Sequence, residues 1–102
     1  MYDQGQGVPQ NYAEAVKWYR LAAQQGYADA QTNLGAMYAL GQGVPQNYVK
    51  AHMWRNLAAS QSNNEKYTKA RDALAAVMTP TQIAEAQALA AKCQASNYKN
   101  CD

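Results

Sequence analysis

The sequence contains no phenylalanine, and its β-branched residues are few. A β-sheet is not expected, because the β-branched side chains that favour strands are scarce. No apolar run approaches the ~20 residues that a membrane-spanning helix needs. The sequence also lacks the pattern of a signal peptide, in which basic residues are followed by an apolar stretch. The 102 residues thus predict neither a sheet nor a membrane span.

Charged residues of either sign are also few. Nine basic and seven acidic residues give a net charge of +2. This charge is too small to predict a phosphate-binding surface, so nucleic-acid binding is not expected. The single histidine, His52, has no carboxylate or cysteine at metal-ligand spacing. We expect it to be solvated or partly packed, and we expect no metal site and no cofactor.

The only two cysteines, Cys93 and Cys101, are eight residues apart in the last ten residues of the chain. This spacing differs from that of zinc knuckles and of redox Cys-x-x-Cys motifs. A structural disulfide that pins the tail to the last helix is favoured, and two free cytosolic thiols are the alternative. A disulfide would suit an oxidising compartment, with the cytoplasm as the alternative.

The chain instead contains an internal repeat. The octapeptide Gly-Gln-Gly-Val-Pro-Gln-Asn-Tyr occurs at Gly5–Tyr12 and again at Gly41–Tyr48, an offset of 36 residues. At this offset, sixteen of the 27 positions in residues 1–27 are identical to those in residues 37–63. A period of this length fits two helices and two turns.

Helix-forming residues and polar caps predict five helices. The start signals are Asn11 with Glu14, Asp29, Asn47, Ser62 with Glu65, and Thr79 with Pro80 and Gln82. The predicted helices span residues 12–25, 29–40, 48–60, 64–78 and 80–95. Short loops make neighbours antiparallel, so the fold class is all-α, built from antiparallel helix pairs.

Spacings of three and four residues predict the inward faces. They are Ala15, Trp18, Leu21, Ala22 and Gln25, then Leu34, Gly35 and Tyr38, then Ala51, Trp54, Leu57 and Ala58, then Tyr67, Ala70, Leu74 and Val77, and finally Ile83, Ala86, Ala90 and Cys93. Small residues, Ala15, Gly35 and Ala51, would let backbones approach closely. The large side chains of Trp18, Trp54 and Tyr38 would fill the space beside them.

These residues resemble the Sel1-like repeat, a relative of the tetratricopeptide repeat. The pattern is matched by Ala30, Leu34, Gly35, Tyr38, Gly41, Gly43, Val44, Ala51, Trp54, Ala58 and Ala59, and in the preceding copy by Tyr2, Gly5, Gly7, Val8, Ala15, Trp18, Tyr19, Ala22, Ala23 and Gly26. We expect a partial repeat at 1–27, a complete repeat at 28–63, a degenerate C-terminal capping hairpin at 64–96 and a tail at 97–102. Arg71 stands where the family has a glycine.

The resemblance implies a right-handed superhelix, a solenoid whose concave face binds a protein or peptide as a scaffold or adaptor. It also implies a location in the bacterial envelope, so we expect the chain in the bacterial periplasm or outside the cell. We expect no enzymatic activity. Repeat logic predicts that a mixed polar strip faces the partner: Asp29, Thr32, Asn33, Ala36, Glu65, Thr68, Lys69 and Asp72. An ordinary solvated face is the alternative for each residue.

Two other functions stay open from the sequence. Ser96-Asn97-Tyr98-Lys99 spells Ser-x-x-Lys, a nucleophile motif that would suit an envelope enzyme acting on peptidoglycan or β-lactams. Its companion motifs are missing, and it lies in a polar tail. A purely structural role, as the capping end of a longer repeat protein, is the other alternative.

The first residues predict an uncovered surface. Met1 and Tyr2 align with Met37 and Tyr38, so the sequence opens in the middle of a repeat. A repeat buries its apolar face only against its neighbours. We therefore expect an apolar flank on the first helix, and self-association through residues 1–25.

Overall fold

The computed structural model describes residues 11–99 and Cys101. The described backbone forms five α-helices and no β-strand. In chain order they are α1 (Tyr12–Gln24), α2 (Ala28–Leu40), α3 (Tyr48–Gln61), α4 (Glu65–Ala75) and α5 (Pro80–Ala95). The number and class of the elements confirm the all-α prediction.

The helices form a zigzag stack. Consecutive helices pack against each other from α1 to α4, and α5 packs on α3. The helix α2 also touches α4, so α2 and α4 lie on one side of the stack, with α3 and α5 together on the other. Helix α3 is thus the centre, in contact with α2, α4 and α5.

Polar side chains start three of the helices as predicted. Asn11 accepts a hydrogen bond from the backbone N–H of Glu14, at 3.0 Å, and Asn47 accepts one from Lys50 at the same distance. At α5, Thr79 and Gln82 form a complete capping box, with Pro80 in the first turn. Such caps satisfy donors that the first turn of a helix leaves unpaired.

Two predicted caps are wrong. Helix α2 begins at Ala28, so Asp29 lies inside its first turn, where its carboxylate accepts from Tyr67 of α4 instead of capping the helix. The predicted capping box of Ser62 with Glu65 is replaced by Asn64, whose side chain accepts from the N–H of Lys66. The Ser62 hydroxyl instead accepts from the N–H of Asn64, which tightens the turn before α4.

The core centres on the packing of α2 against α3. Trp54, Leu34 and Ala51 are fully buried, and Tyr38 is 4% exposed. Gly35 lies so close to α3 that an added Cβ would stand 2.9 Å from the carbonyl oxygen of Ala51. A glycine is required here because any side chain would push the two helices apart.

The inward face predicted for α1 is wrong, because a different side of the helix faces the core. Val16 and Ala23 are buried with Ala15, whereas Trp18 is 55% exposed and Leu21 is 49% exposed. The reason is that α1 packs on the helix that follows it, α2, and Trp18 points to the other side. On α3 the repeat equivalents of Trp18 and Leu21 are buried, because α3 has neighbours on both sides.

The end of α4 also differs from the prediction. The helix stops at Ala75, and Val77, predicted to lie inward, is 64% exposed. Met78 takes its place in the core, at 9% exposed. The turn after Ala75 shifts the helical phase, so the side chain that reaches inward is one residue later.

Candidate interaction surface on α2 and α4

The eight residues of the predicted strip lie on the two helices that share one side of the stack. Asp29, Asn33, Glu65, Lys69 and Asp72 are exposed, and Thr32, Ala36 and Thr68 are partly buried. Three carboxylates, one ammonium group, one amide and two hydroxyls are therefore presented by a pair of helices in direct contact. We call this set the polar strip.

A cluster of three side chains joins the two helices near their N-terminal ends. The Tyr67 hydroxyl donates to Oδ1 of Asp29 at 2.5 Å, and Nζ of Lys66 lies 3.2 Å from the same oxygen. The Lys66 ammonium also stands 5.0 Å from the centre of the Tyr67 ring. Asp29 is thus both a member of the polar strip and the link that sets the distance between α2 and α4.

These contacts shift the pKa values of all three groups. The hydrogen bond from Tyr67, followed by the contact with Lys66, lowers the pKa of Asp29. The same hydrogen bond to Asp29 raises the pKa of Tyr67, and the bond to Asp29 raises the pKa of Lys66. Each shift favours the charge state that the cluster needs, with Asp29 ionised and Lys66 protonated.

Sequence reasoning missed the roles of Lys66 and Tyr67. Tyr67 was expected only as an inward residue, and it is indeed buried, but its hydroxyl reaches across to α2. The residue 36 positions earlier is Gln31, so the repeat gives no precedent for a hydroxyl at this place. The contact depends on the distance between two helices, which the sequence pattern does not specify.

Farther along α4 the charges of the polar strip are paired within the helix. Nζ of Lys69 lies 3.7 Å from Oε1 of Glu65, one turn earlier. Nε of Arg71 donates to Oδ1 of Asp72 at 3.0 Å. Such exposed pairs contribute little stability, so they can exchange for contacts with a partner at small cost.

A second pair of polar side chains lies between α3 and α4, with His52 buried and Arg55 partly buried. His52 is 2% exposed, so the expectation of a solvated or partly packed histidine is wrong. Its Nδ1 has no hydrogen-bond partner, and neither has Nε of Arg55, although Nη1 of Arg55 donates to the carbonyl oxygen of Ala70 at 3.1 Å. Burial lowers the pKa of both groups, and for His52 the charge of Arg71 adds to that effect.

The Ser-x-x-Lys match is part of a helix-ending turn. The Ser96 hydroxyl donates to the carbonyl oxygen of Cys93 at 2.8 Å and accepts from the backbone N–H of Lys99 at 3.2 Å. The proton that a nucleophilic serine would transfer to a base is thus directed at a backbone carbonyl. This geometry is that of a cap and gives no support to an enzymatic reading of the motif.

The described residues contain neither a cluster of metal ligands nor a membrane-spanning helix. Between residues 11 and 99 and at Cys101, no group of three or more histidine, cysteine or acidic side chains is placed to hold a metal ion. No helix in that part of the chain is long and apolar enough to cross a bilayer. Cys93 and Cys101 form a disulfide with their Cα atoms 4.7 Å apart, which confirms the predicted pairing.

Stacked antiparallel helices with an exposed polar face define the class of helical repeat proteins, the α-solenoids. Comparison with known families then identifies the particular repeat. The Sel1 repeat model matches residues 1–27 and 28–63, more than half of the chain, so the chain belongs to the Sel1 repeat family. Members of this family are commonly protein-interaction modules, and their fold is typically a scaffold without enzymatic activity.

A solved structure supports the same assignment. A protective antigen of uropathogenic Escherichia coli with an SLR (Sel1-like repeat) fold superposes with a TM-score of 0.83 and 31% sequence identity. The match covers 95% of this chain and 22% of that one, so the chain spans about a fifth of its length. No curated protein matches the chain significantly.

Proposed function

We propose that this chain is a protein-interaction module that binds an extended peptide or protein segment along the polar strip of α2 and α4. The observation that carries the proposal is the direct contact between these two helices, joined through Asp29, Lys66 and Tyr67. This contact makes one continuous surface from two repeats. A solenoid recognises its partners on such a surface.

The chemistry of the polar strip favours a peptide with exposed backbone groups and basic side chains. Asp29, Glu65 and Asp72 outnumber the single Lys69 within the strip. The cations that pair with them, Lys66, Lys69 and Arg71, form surface ion pairs that a basic side chain of a partner can replace. The carboxylates accept hydrogen bonds from backbone N–H groups and attract lysine or arginine side chains. The exposed amide of Asn33 both donates and accepts, which suits the alternating groups of an extended backbone.

The test uses a phage-displayed library of random peptides selected on the oxidised chain. We expect the selected peptides to carry basic residues and to shift backbone amide resonances on α2 and α4. In the double variant Glu65→Lys with Asp72→Lys, the Kd should rise at least tenfold, because two attractive charges become repulsive. Circular dichroism should show that the variant keeps its helices.

A matched control separates the site from overall charge. Glu65→Lys and Glu85→Lys reverse one exposed carboxylate each, the first on α4 and the second on α5. The first should weaken peptide binding and the second should not. Equal effects of the two variants, or resonance shifts that avoid α2 and α4, would contradict the proposed site.

We further propose that the chain works in an oxidising compartment, the bacterial periplasm or the outside of the cell. The support is the disulfide between Cys93 and Cys101, since such bonds persist where thiols are not kept reduced. Alkylation of free thiols at the moment of lysis measures this directly. Alkylated cysteines in most of the protein would place it in a reducing compartment.

A further inference from the structure

The C-terminal tail crosses the end of the stack where three helices finish. Helices α1, α3 and α5 end near Gly26, Gln61 and Ser96, and the tail meets the first of these sites. A Cβ added to Gly26 would stand 3.5 Å from Cε2 of Tyr98 and 3.3 Å from Oε1 of Gln61. The Tyr98 ring therefore lies against the α1–α2 turn, 72 residues earlier in the chain.

Side-chain hydrogen bonds extend this contact into α1. Nε2 of Gln61 donates to Oε1 of Gln31 at 2.6 Å, and Nε2 of Gln31 donates to the carbonyl oxygen of Ala23 at 3.1 Å. Gln31 is fully buried. The end of α1 is thus bonded to α2 directly and to α3 through Gln31, and the tail packs on the turn that follows it.

The tail needs an external constraint to keep this shape. Asn97 has φ of 57° and Tyr98 has φ of 65°, a left-handed conformation that asparagine tolerates and tyrosine rarely adopts. The N–H of Tyr98 donates to the carbonyl oxygen of Cys93 at 2.9 Å, and three residues later Cys101 is bonded to Cys93. Strained backbone of this kind persists only where surrounding structure determines it.

We propose that Ser96–Lys99 with Cys101, which we call the tail strap, is a redox-sensitive latch on the end of α1. Closed by the disulfide, the tail strap presses Tyr98 onto Gly26 and holds the α1–α2 turn. Opened by reduction, it releases Tyr98 from the left-handed conformation, and the last turn of α1 loosens. This proposal does not rest on the binding of a peptide to the polar strip.

The opening reaction is thiol–disulfide exchange with a dithiol reductant. Cys93 is fully buried and Cys101 is partly buried, so the thiolate of the reductant attacks the sulfur of Cys101. The bond to Cys93 breaks, and its thiolate takes up a proton. The second thiol of the reductant then displaces Cys101, also as a thiol. Two electrons and two protons pass to the protein, and the reductant leaves as a disulfide.

Hydrogen exchange of the full chain, oxidised and after treatment with dithiothreitol, tests the latch. The reporters are the amides of Gln25, Gly26 and Tyr27, which donate to carbonyls of α1 at 3.0 to 3.3 Å. We expect their exchange to accelerate at least tenfold on reduction. The amide of Ala51, bonded to Asn47 at the start of α3, is the internal reference and should change little.

Two variants separate the tail strap from a general loss of stability. Tyr98→Ala keeps the disulfide but removes the ring, so the three reporters should exchange fast in the oxidised chain and gain little more on reduction. Cys101→Ser should give fast exchange at the reporters with or without dithiothreitol. Unchanged reporters on reduction, equal acceleration at Ala51, or a Tyr98→Ala chain that keeps both protection and redox sensitivity would overturn the proposal.

Discussion

Replacing His52 by valine should stabilise the chain. His52 occupies the repeat position of Val16, and both residues are 2% exposed. The Nδ1 atom of His52 has no hydrogen-bond partner, and a buried unsatisfied polar group costs about 1–3 kcal/mol. Valine and histidine have similar helix propensities, so the exchange itself changes little in α3. A gain of about 1 kcal/mol at pH 7.5 would raise the Tm by roughly 4–8 °C.

The stability difference should widen in acid. The pKa of His52 lies below its ordinary value of 6.5, first because of burial and then because of Arg71 and Arg55, while Asp72 acts in the opposite direction. As the pH falls below 6.5, the unfolded chain binds a proton that folded His52 resists, so stability is lost towards the folded-state pKa. At pH 5.5 this loss amounts to at most about 1.4 kcal/mol, and valine abolishes it.

Urea unfolding followed by circular dichroism, at pH 7.5 and pH 5.5 on the oxidised chain, measures both effects. The control His52→Gln keeps a polar group but does not titrate, so it should lose the pH dependence without the full gain at pH 7.5. A His52→Val chain that is less stable than the parent at pH 7.5 would refute the reasoning about the unpaired nitrogen. An identical pH dependence in the parent and in His52→Val would refute the titration argument.

The two tryptophans give a matched comparison, since Trp54→Ala should cost about 3–5 kcal/mol and Trp18→Ala under about 1 kcal/mol in urea unfolding, because only Trp54 is buried. Trp18→Lys should also reduce the concentration-dependent self-association that we predict for residues 1–25, as seen by light scattering; a monomeric parent at high concentration would contradict it. Gly35→Ala should destabilise the chain by about 1–3 kcal/mol in the same unfolding assay, since its Cβ would meet α3 at 2.9 Å, and an unchanged midpoint would show that the helices can separate.

The helices were predictable because their signals are local. Asn11, Asn47 and Thr79 each cap a helix by accepting from a backbone N–H three residues later, so none of the three starts depends on the rest of the fold. Gly41 ends α2 with φ of 69°, a conformation that glycine adopts readily. The 36-residue offset added the pairing of these elements into repeats.

The candidate site was less predictable because it depends on distances between helices. Asp29 is a plausible cap by its position, yet its carboxylate accepts from Tyr67, which is 38 residues later and on another helix. Tyr98 packs on Gly26 from the far end of the chain, 72 residues later. Local sequence patterns do not predict either contact, because each joins residues that are far apart in the chain.

Burial depends on which neighbours a repeat has as well as on the repeat itself. Trp18 and Trp54 are the same residue at the same repeat position, but their exposed fractions are 55% and 0%. Leu21 and Leu57 differ in the same way, at 49% and 1%. The repeat position therefore predicts the side of a helix on which a residue lies, and the adjacent helix decides whether that side is covered.

The influence of the adjacent helix also explains where the sequence departs from the repeat. Ala51, Trp54, Leu57 and Ala58 of α3 are identical to their counterparts in α1, whereas His52 replaces a valine and Arg55 replaces a tyrosine. Both exceptions act towards α4: Arg55 donates to the carbonyl oxygen of Ala70, and the charges of Arg71 and Asp72 act on His52. On α4, Arg71 stands at the repeat position that Gly35 occupies on α2. The departures of α3 and α4 from the repeat thus meet at one interface, and the unpaired nitrogen of His52 lies within it.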